Sequence, residues 1–282
     1  GWRAVMANRL TNITYFNAFR MTPDSMRQLA ASLNAAPPKL IVAYVDAAHS
    51  LAKFLAREGI TVRPQRAMMT SAGMLYPFIR EKIQSVFRCP VFDRYGCREL
   101  GDIACQCGEG LGLHVAPWGN YVEIVDGEGR RVPNGVEGEI LVTSLTNFAM
   151  PLIRYRVGDR GILSTQRCAC GRPGQILERI VGRHADTFRR RDGTLITPGY
   201  FAMLTFGKEW IAKQQIIQKS ESLIVYRIAP SGLPYAQAEL DGIAAGVKRL
   251  MGDDCEVRFE FVDDIDSTPS GKYRHTVSEI QT

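Results

Sequence analysis

The sequence predicts an α/β fold: a parallel α/β sheet first, an antiparallel β region after it, and a small α+β domain at the end. Three observations carry this. Amphipathic helix patterns alternate with short apolar runs from Thr22 to Gly96, and such alternation builds parallel sheets with helices on both faces. From Tyr121 the turn signals DGEG and PNG separate segments of strand character, which is the mark of hairpins. The last stretch mixes helical and strand periods again, so a domain boundary is placed between residues 184 and 185.

Each element has a local reason. Thr22 as N-cap, Pro23 at the first helical position and Asp24 in the first turn start a helix over MTPDSMRQLAASLNAA. PKLIVAYV, Pro38 to Val45, reads as a buried strand. DAAHSLAKFLAREG has apolar residues at helical spacing and stops at Gly59. A short strand in VRPQRAMMTSAG, a helix over YPFIREKIQSVFR and a strand in CPVFDRYG follow. YVEIVDGEGRRVPNGVEGEILVTSL gives two hairpin strands, PLIRYRVGDRGIL continues them, and RIVG closes the region with another. TFRRRDGTLITP is a hairpin turning at Asp192-Gly193. The tail then reads as a helix, the strand SLIVYRIA, a helix over PYAQAELDGIAAGVKRLMG and the strand CEVRFEFV.

Composition narrows the class. A hydrophobic fraction of 45% and a charged fraction of 23% over 282 residues suit a globular chain with a real core. The net charge of +6 leans toward an anionic partner such as a nucleotide. The basic run Arg189–Asp192 sits at a hairpin tip and reads as a solvated face, so no nucleic-acid partner is expected. No apolar run reaches the ~18–20 residues of a membrane helix, and no signal peptide is seen. Seven cysteines, an odd and sparse set, do not form a secreted disulfide framework. A reducing cytoplasm is expected, with cysteines buried or used for metal.

Five constellations could carry chemistry. Cys105-x-Cys107, His114 beyond a glycine-rich turn, and Cys168-x-Cys170 offer thiolates and an imidazole, which suit a tetrahedral zinc ion; buried small hydrophobes are the competing reading. In DRYGCREL an aromatic-glycine pair, Tyr95-Gly96, precedes Glu99 at the end of a strand, where open α/β sheets bind ligands. A ring there can stack on a base and a carboxylate can hold Mg²⁺; an ordinary turn is the alternative. In PLIRYRVGD, Asp159 could accept two ribose hydroxyls or stabilise its own turn. Arg183 follows a strand in RIVGRHAD, and Lys272 lies in the loop STPSGKYRH, able to reach a phosphate or to face solvent.

In this order the motifs resemble one family, the adenylate-forming enzymes. Within them they resemble the phenylacetate–CoA ligase-like branch, which includes the CapK-like proteins. The resemblance runs from about Thr70 to Lys272 and is carried by TSAGMLYPFIREKIQSVFRCPVFDRYG and, most specifically, by SLTNFAMPLIRYRVGD. It implies a partial adenylate-forming ligase fold whose last part, residues 185–282, is mobile. It also implies an ATP-dependent, AMP-forming acid:CoA ligase for an aryl or small carboxylic acid. Tyr95 and Gly96 would meet adenine, Asp159 the ribose hydroxyls, Arg183 the ribose and phosphate. Glu99 would ligate Mg²⁺, and Lys272 would stabilise charge on the α-phosphate. Relatives carry Cys-x6-His after the acid and Cys-x-Cys-Gly-Arg later, which implies a structural Zn²⁺ on Cys107, His114, Cys168 and Cys170, with Cys105 only an alternate ligand. The branch also implies a homodimer.

The pattern departs from the family in three places. No Ser/Thr/Gly-rich phosphate loop is found in residues 1–90, where TSAG is the only small-residue patch, and there is no initiator Met. An incomplete chain or a shortened homologue is therefore expected. Ala185 stands where relatives mostly have the hinge aspartate, with Asp186 next. Cys97-Arg98 replaces small or polar residues and points to the CapK-like side. Two alternatives follow: adenylyl or acyl transfer in polysaccharide or cofactor modification without CoA, and a zinc-stabilised non-catalytic homologue.

Overall fold

A computed structural model describes residues 10–18, 21–183, 187–196, 198–265 and 275–280. Lys272 and the hinge residues Ala185 and Asp186 lie outside these, as does the side chain of Arg183. The chain forms two compact units, residues 1–92 and 93–282.

The first unit begins with α1 (Pro23–Ala35), started as the sequence predicts: the Thr22 hydroxyl accepts from the Ser25 N–H at 3.3 Å. β1 (Ile41–Tyr44) and β2 (Met68–Ser71) pair in parallel. α2 (Val45–Arg57) links them and buries Ala48, Leu51, Ala52 and Leu55 on one face. It ends with Gly59 in the left-handed region (φ 66°). α3 (Pro77–Phe87) buries Ile79, Ile83 and Phe87, one side of a helix. The predicted buried strand at Pro38–Val45 is corrected. β1 is shorter, Val45 belongs to α2, and alternate residues face out, with Val42 55% and Tyr44 43% exposed. A run of apolar letters does not separate a half-buried strand from a buried one.

β3 (Val91–Cys97) leads into the second unit. There β4 (Gly101–Gln106), β5 (Leu113–Val115), β6 (Asn120–Val125), β7 (Glu137–Ser144), β8 (Tyr155–Leu163) and β9 (Ile176–Arg183) follow. They lie in the order β3-β4-β5-β9-β8-β7-β6, every neighbour antiparallel. Ile103, Val122, Ile124, Ile140, Val142 and Leu177 are fully buried between them.

The hairpin β10 (Phe188–Arg189) and β11 (Leu195–Ile196) forms around Asp192-Gly193 as predicted. After it come α4 (Gly199–Met203), β12 (Ile211–Ser220), β13 (Leu223–Pro230), α5 (Gln237–Met251), β14 (Glu256–Phe261) and β15 (Thr276–Ser278). Their sheet has the order β14-β13-β12-β15. The helix expected before SLIVYRIA is corrected to the short α4 followed by the strand β12. Lys and Gln in IAKQQIIQKS favour a helix locally, but the central place of β12 in the sheet buries Ile216, Ile217 and Gln218 together. The Gln218 amide works as a piece of strand: its Oε1 accepts from the Arg189 N–H at 2.9 Å and its Nε2 donates to the Arg189 carbonyl at 2.6 Å. This fastens the β10–β11 hairpin to the sheet. Among the described residues no helix is long and apolar enough to cross a membrane.

Candidate nucleotide site and metal centre

β3 and β4 form a hairpin with a three-residue turn, Arg98-Glu99-Leu100. A bulge between Tyr95 and Gly96 re-aims the side chains at its end. Gly96 is required for a steric reason: a Cβ there would lie 2.2 Å from the Gly101 carbonyl oxygen. Glu99 sits exposed on the turn. The Cys97 thiol is its hydrogen-bond partner. Burial pushes that thiol up, and the neighbouring carboxylate adds to the rise against backbone bonds from Leu100 and Glu99.

The Tyr95 hydroxyl donates to Asp159 Oδ2 at 2.8 Å. In a flat sheet β3 and β8 would stand four strand spacings apart, about 19 Å. A tyrosine cannot span that, so the sheet curls until its β3 end meets β8. Gly158, at φ 81°, allows the bulge that β8 makes against β7 just before Asp159. On β9, Arg183 is the register partner of Asp159. Tyr95, Asp159 and the Arg183 backbone are thus gathered on the curled sheet, with Glu99 on the turn of the Tyr95 hairpin.

One contributor was not read from the sequence. Arg154 adopts a left-handed backbone (φ 49°) at the entry to β8. Its N–H donates to Thr143 Oγ1 at 3.0 Å, its Nε to Glu123 at 3.1 Å and its Nη2 to the Gly129 carbonyl at 2.8 Å. These three bonds hold the PLIRY segment onto the β6–β7 hairpin. An arginine gives no sequence signal for a positive φ; glycine or asparagine would have.

Cys107, His114, Cys168 and Cys170 come together, their ligand atoms all within 4.8 Å of one another. Cys107 Sγ and Cys168 Sγ are 3.5 Å apart, and Cys170 Sγ and His114 Nε2 are 3.5 Å apart. A tetrahedral zinc ion with Zn–S near 2.3 Å and Zn–N near 2.05 Å has edges of about 3.8 Å (S···S) and about 3.6 Å (S···N). The donors fit that cage and are too far apart for a disulfide. Burial pushes the His114 imidazole down, and Arg172 adds to this, so the ring is neutral and its lone pair is available. Burial alone would raise the Cys107 thiol. The Glu109 and Gly110 N–H groups and the Cys168 and Cys170 thiols outweigh it, and the group ends below its ordinary value. Among the described residues His114 Nδ1 has no hydrogen-bond partner, and it is buried. Cys105 faces His114 across the ladder, but its thiol donates to the Gln106 carbonyl and stands outside the cluster.

Residues 188–279 match the CapK C-terminal domain family. The chain is 24% identical to Protein CapK of Staphylococcus aureus over 283 residues, which is 97% of this chain and 60% of CapK. It is 29% identical to the phenylacetate-coenzyme A ligase of Thermus thermophilus over 152 residues, 52% of this chain and 34% of that protein. Among solved structures, a 2-hydroxyisobutyryl-CoA ligase in complex with an acyl-adenylate superposes with a TM-score of 0.75 at 22% identity. That match covers 92% of this chain and 58% of the ligase. A benzoate CoA ligase from Burkholderia xenovorans superposes with a TM-score of 0.63 at 18% identity, covering 90% of this chain and 53% of that one. The chain therefore has the α/β fold of the AMP-forming CoA ligases and spans about three fifths of the length of CapK.

Proposed function

We propose, from the resemblance to adenylate-forming enzymes of the CapK and phenylacetate–CoA ligase branch, that this chain serves an ATP-dependent, AMP-forming acid:CoA ligase. Its substrate is an aryl or other small carboxylic acid. The observation that carries the reading is the Tyr95–Asp159 hydrogen bond. It joins two residues 64 positions apart to which the resemblance gives the adenine and the ribose of one nucleotide. The acyl-adenylate held by the 2-hydroxyisobutyryl-CoA ligase of the same fold is consistent with it.

In this reading the Tyr95 ring supports adenine and Asp159 accepts the ribose hydroxyls, with Tyr95 orienting its carboxylate. Arg183 would contact the ribose and phosphate. Lys272, carried by residues 185–282 as a mobile domain, stabilises charge on the α-phosphate. A carboxylate oxygen of the acid attacks the α-phosphorus and pyrophosphate leaves. The CoA sulfur then attacks the acyl carbon and AMP leaves. Glu99 would hold Mg²⁺, which neutralises phosphate charge when bound. Cys107, His114, Cys168 and Cys170 would hold a structural zinc ion, since four protein donors leave no open position. Catalysis is then positioning plus cationic charge stabilisation.

The test is pyrophosphate release with ATP, Mg²⁺ and a panel of aryl and small aliphatic acids. Release that disappears in Lys272→Ala supports the reading; unchanged release in that variant sinks it. The resemblance to the CapK-like side gives one second reading, adenylyl or acyl transfer to an acceptor other than CoA. Pyrophosphate release without thioester formation when CoA is supplied selects it.

A further inference from the structure

The cysteine–histidine cluster and the nucleotide residues occupy opposite ends of the same strands. β4 starts at Gly101, just past Glu99, and ends at Gln106, next to Cys107. β8 carries Asp159 and ends at Leu163, short of Cys168. β9 starts at Ile176, beyond Cys170, and ends at Arg183. His114 stands on β5 between them, paired with Cys105 of β4 and Ile176 of β9. The strands are laterally rigid. Ile103, Leu113 and Leu177 lie in the core, and a Cβ on Gly112 would lie 2.6 Å from the Leu177 carbonyl. β4 is about 17 Å long, so its two ends move as one stiff rod. A tie at the cluster end therefore fixes how β4, joined to β9 and β8 through β5, is tilted relative to them, and with it where Tyr95 and Glu99 stand relative to Asp159.

We infer that metal on Cys107, His114, Cys168 and Cys170 fixes how the ends of β4, β8 and β9 stand relative to one another and so controls the affinity of the nucleotide site. Cys107 and Cys168 are positioning residues: they touch no substrate. The inference rests on the reading of Tyr95 and Asp159 as nucleotide ligands. It makes the metal centre a control point for that site, beyond a brace for local folding.

Coupling between two sites is reciprocal. Stripping zinc with a chelator is expected to weaken AMP binding by at least about fivefold, with the far-ultraviolet circular dichroism retained. Saturating AMP is expected to tighten zinc, read by competition with a chromophoric chelator, by the same factor. Cys105→Ser, outside the cluster, changes neither affinity. If the stripped chain unfolds, Cys168→His decides. It keeps a fourth ligand but moves the β8–β9 limb, so it should hold zinc and bind AMP more weakly. Equal AMP affinity in folded metal-free and zinc-loaded chain, or in Cys168→His, overturns the inference and leaves the nucleotide reading standing. No AMP binding to the zinc-loaded chain overturns both.

Discussion

Gly96→Ala adds one methyl group at a place where the chain has no room. The new Cβ would lie 2.2 Å from the Gly101 carbonyl oxygen, 3.2 Å from its carbonyl carbon and 3.3 Å from Asp102 Cα. These are backbone atoms of the paired strand, so no side chain can swing aside. Ordinary carbon–oxygen contact needs about 3.3 Å, and the β3–β4 turn must therefore open by about 1 Å. Overpacking of this kind costs about 1–3 kcal/mol. Glu99 lies on the turn that opens, and Tyr95 lies immediately before the substituted residue. A 1 Å misplacement of such groups can lower turnover by about 10²-fold. The assays are urea unfolding, calorimetric titration with AMP and metal analysis. The expected result is lower stability and AMP binding weakened at least about tenfold, with zinc still bound because its four ligands are intact. Gly96→Ala with wild-type stability and wild-type AMP affinity would refute the reasoning.

Tyr95→Phe keeps the ring and removes the 2.8 Å bond to Asp159. It should lower stability by about 1–2 kcal/mol in denaturant unfolding and weaken AMP binding less than Tyr95→Ala does. Gln218→Ala leaves the Arg189 N–H and carbonyl without their partner, and a loss of about 2–4 kcal/mol is expected in the same assay. Tyr76 gives a pH signature. Burial, with Asp46 adding to it, raises its pKa from 10.0 to about 12. The folded state therefore keeps a proton that the unfolded state gives up. The associated stability is complete below pH 10.0 and is lost as pH rises through about 12. Tyr76→Phe should flatten that part of the alkaline decline, and an unchanged decline contradicts the assignment.

The sequence was legible where the causes are local. Thr22, Pro23 and Asp24 announce α1 through backbone capping, and Asp192-Gly193 announces a hairpin by its turn chemistry. The four metal-cluster residues were named by resemblance, and the fold brings them within a few ångströms of one another. What stayed hidden depends on distant chain. β12 reads as a helix because its Lys and Gln residues prefer one, and only its central place in a sheet overrides that preference. The meeting of Tyr95 with Asp159 needs the curl of a whole sheet, which no window of neighbouring residues encodes. Gly96 looked like an ordinary turn glycine, whereas its reason is the carbonyl of Gly101 across the hairpin.

The most direct test of the nucleotide assignment is calorimetric titration of AMP into the zinc-loaded chain, side by side with Asp159→Asn. Asparagine keeps the shape of the side chain and an oxygen for the Tyr95 hydroxyl, but removes the charge that draws two ribose hydroxyls. The account predicts one AMP per chain in the wild type and at least about tenfold weaker binding in the variant. No binding to the wild type, or equal binding to both, would contradict it.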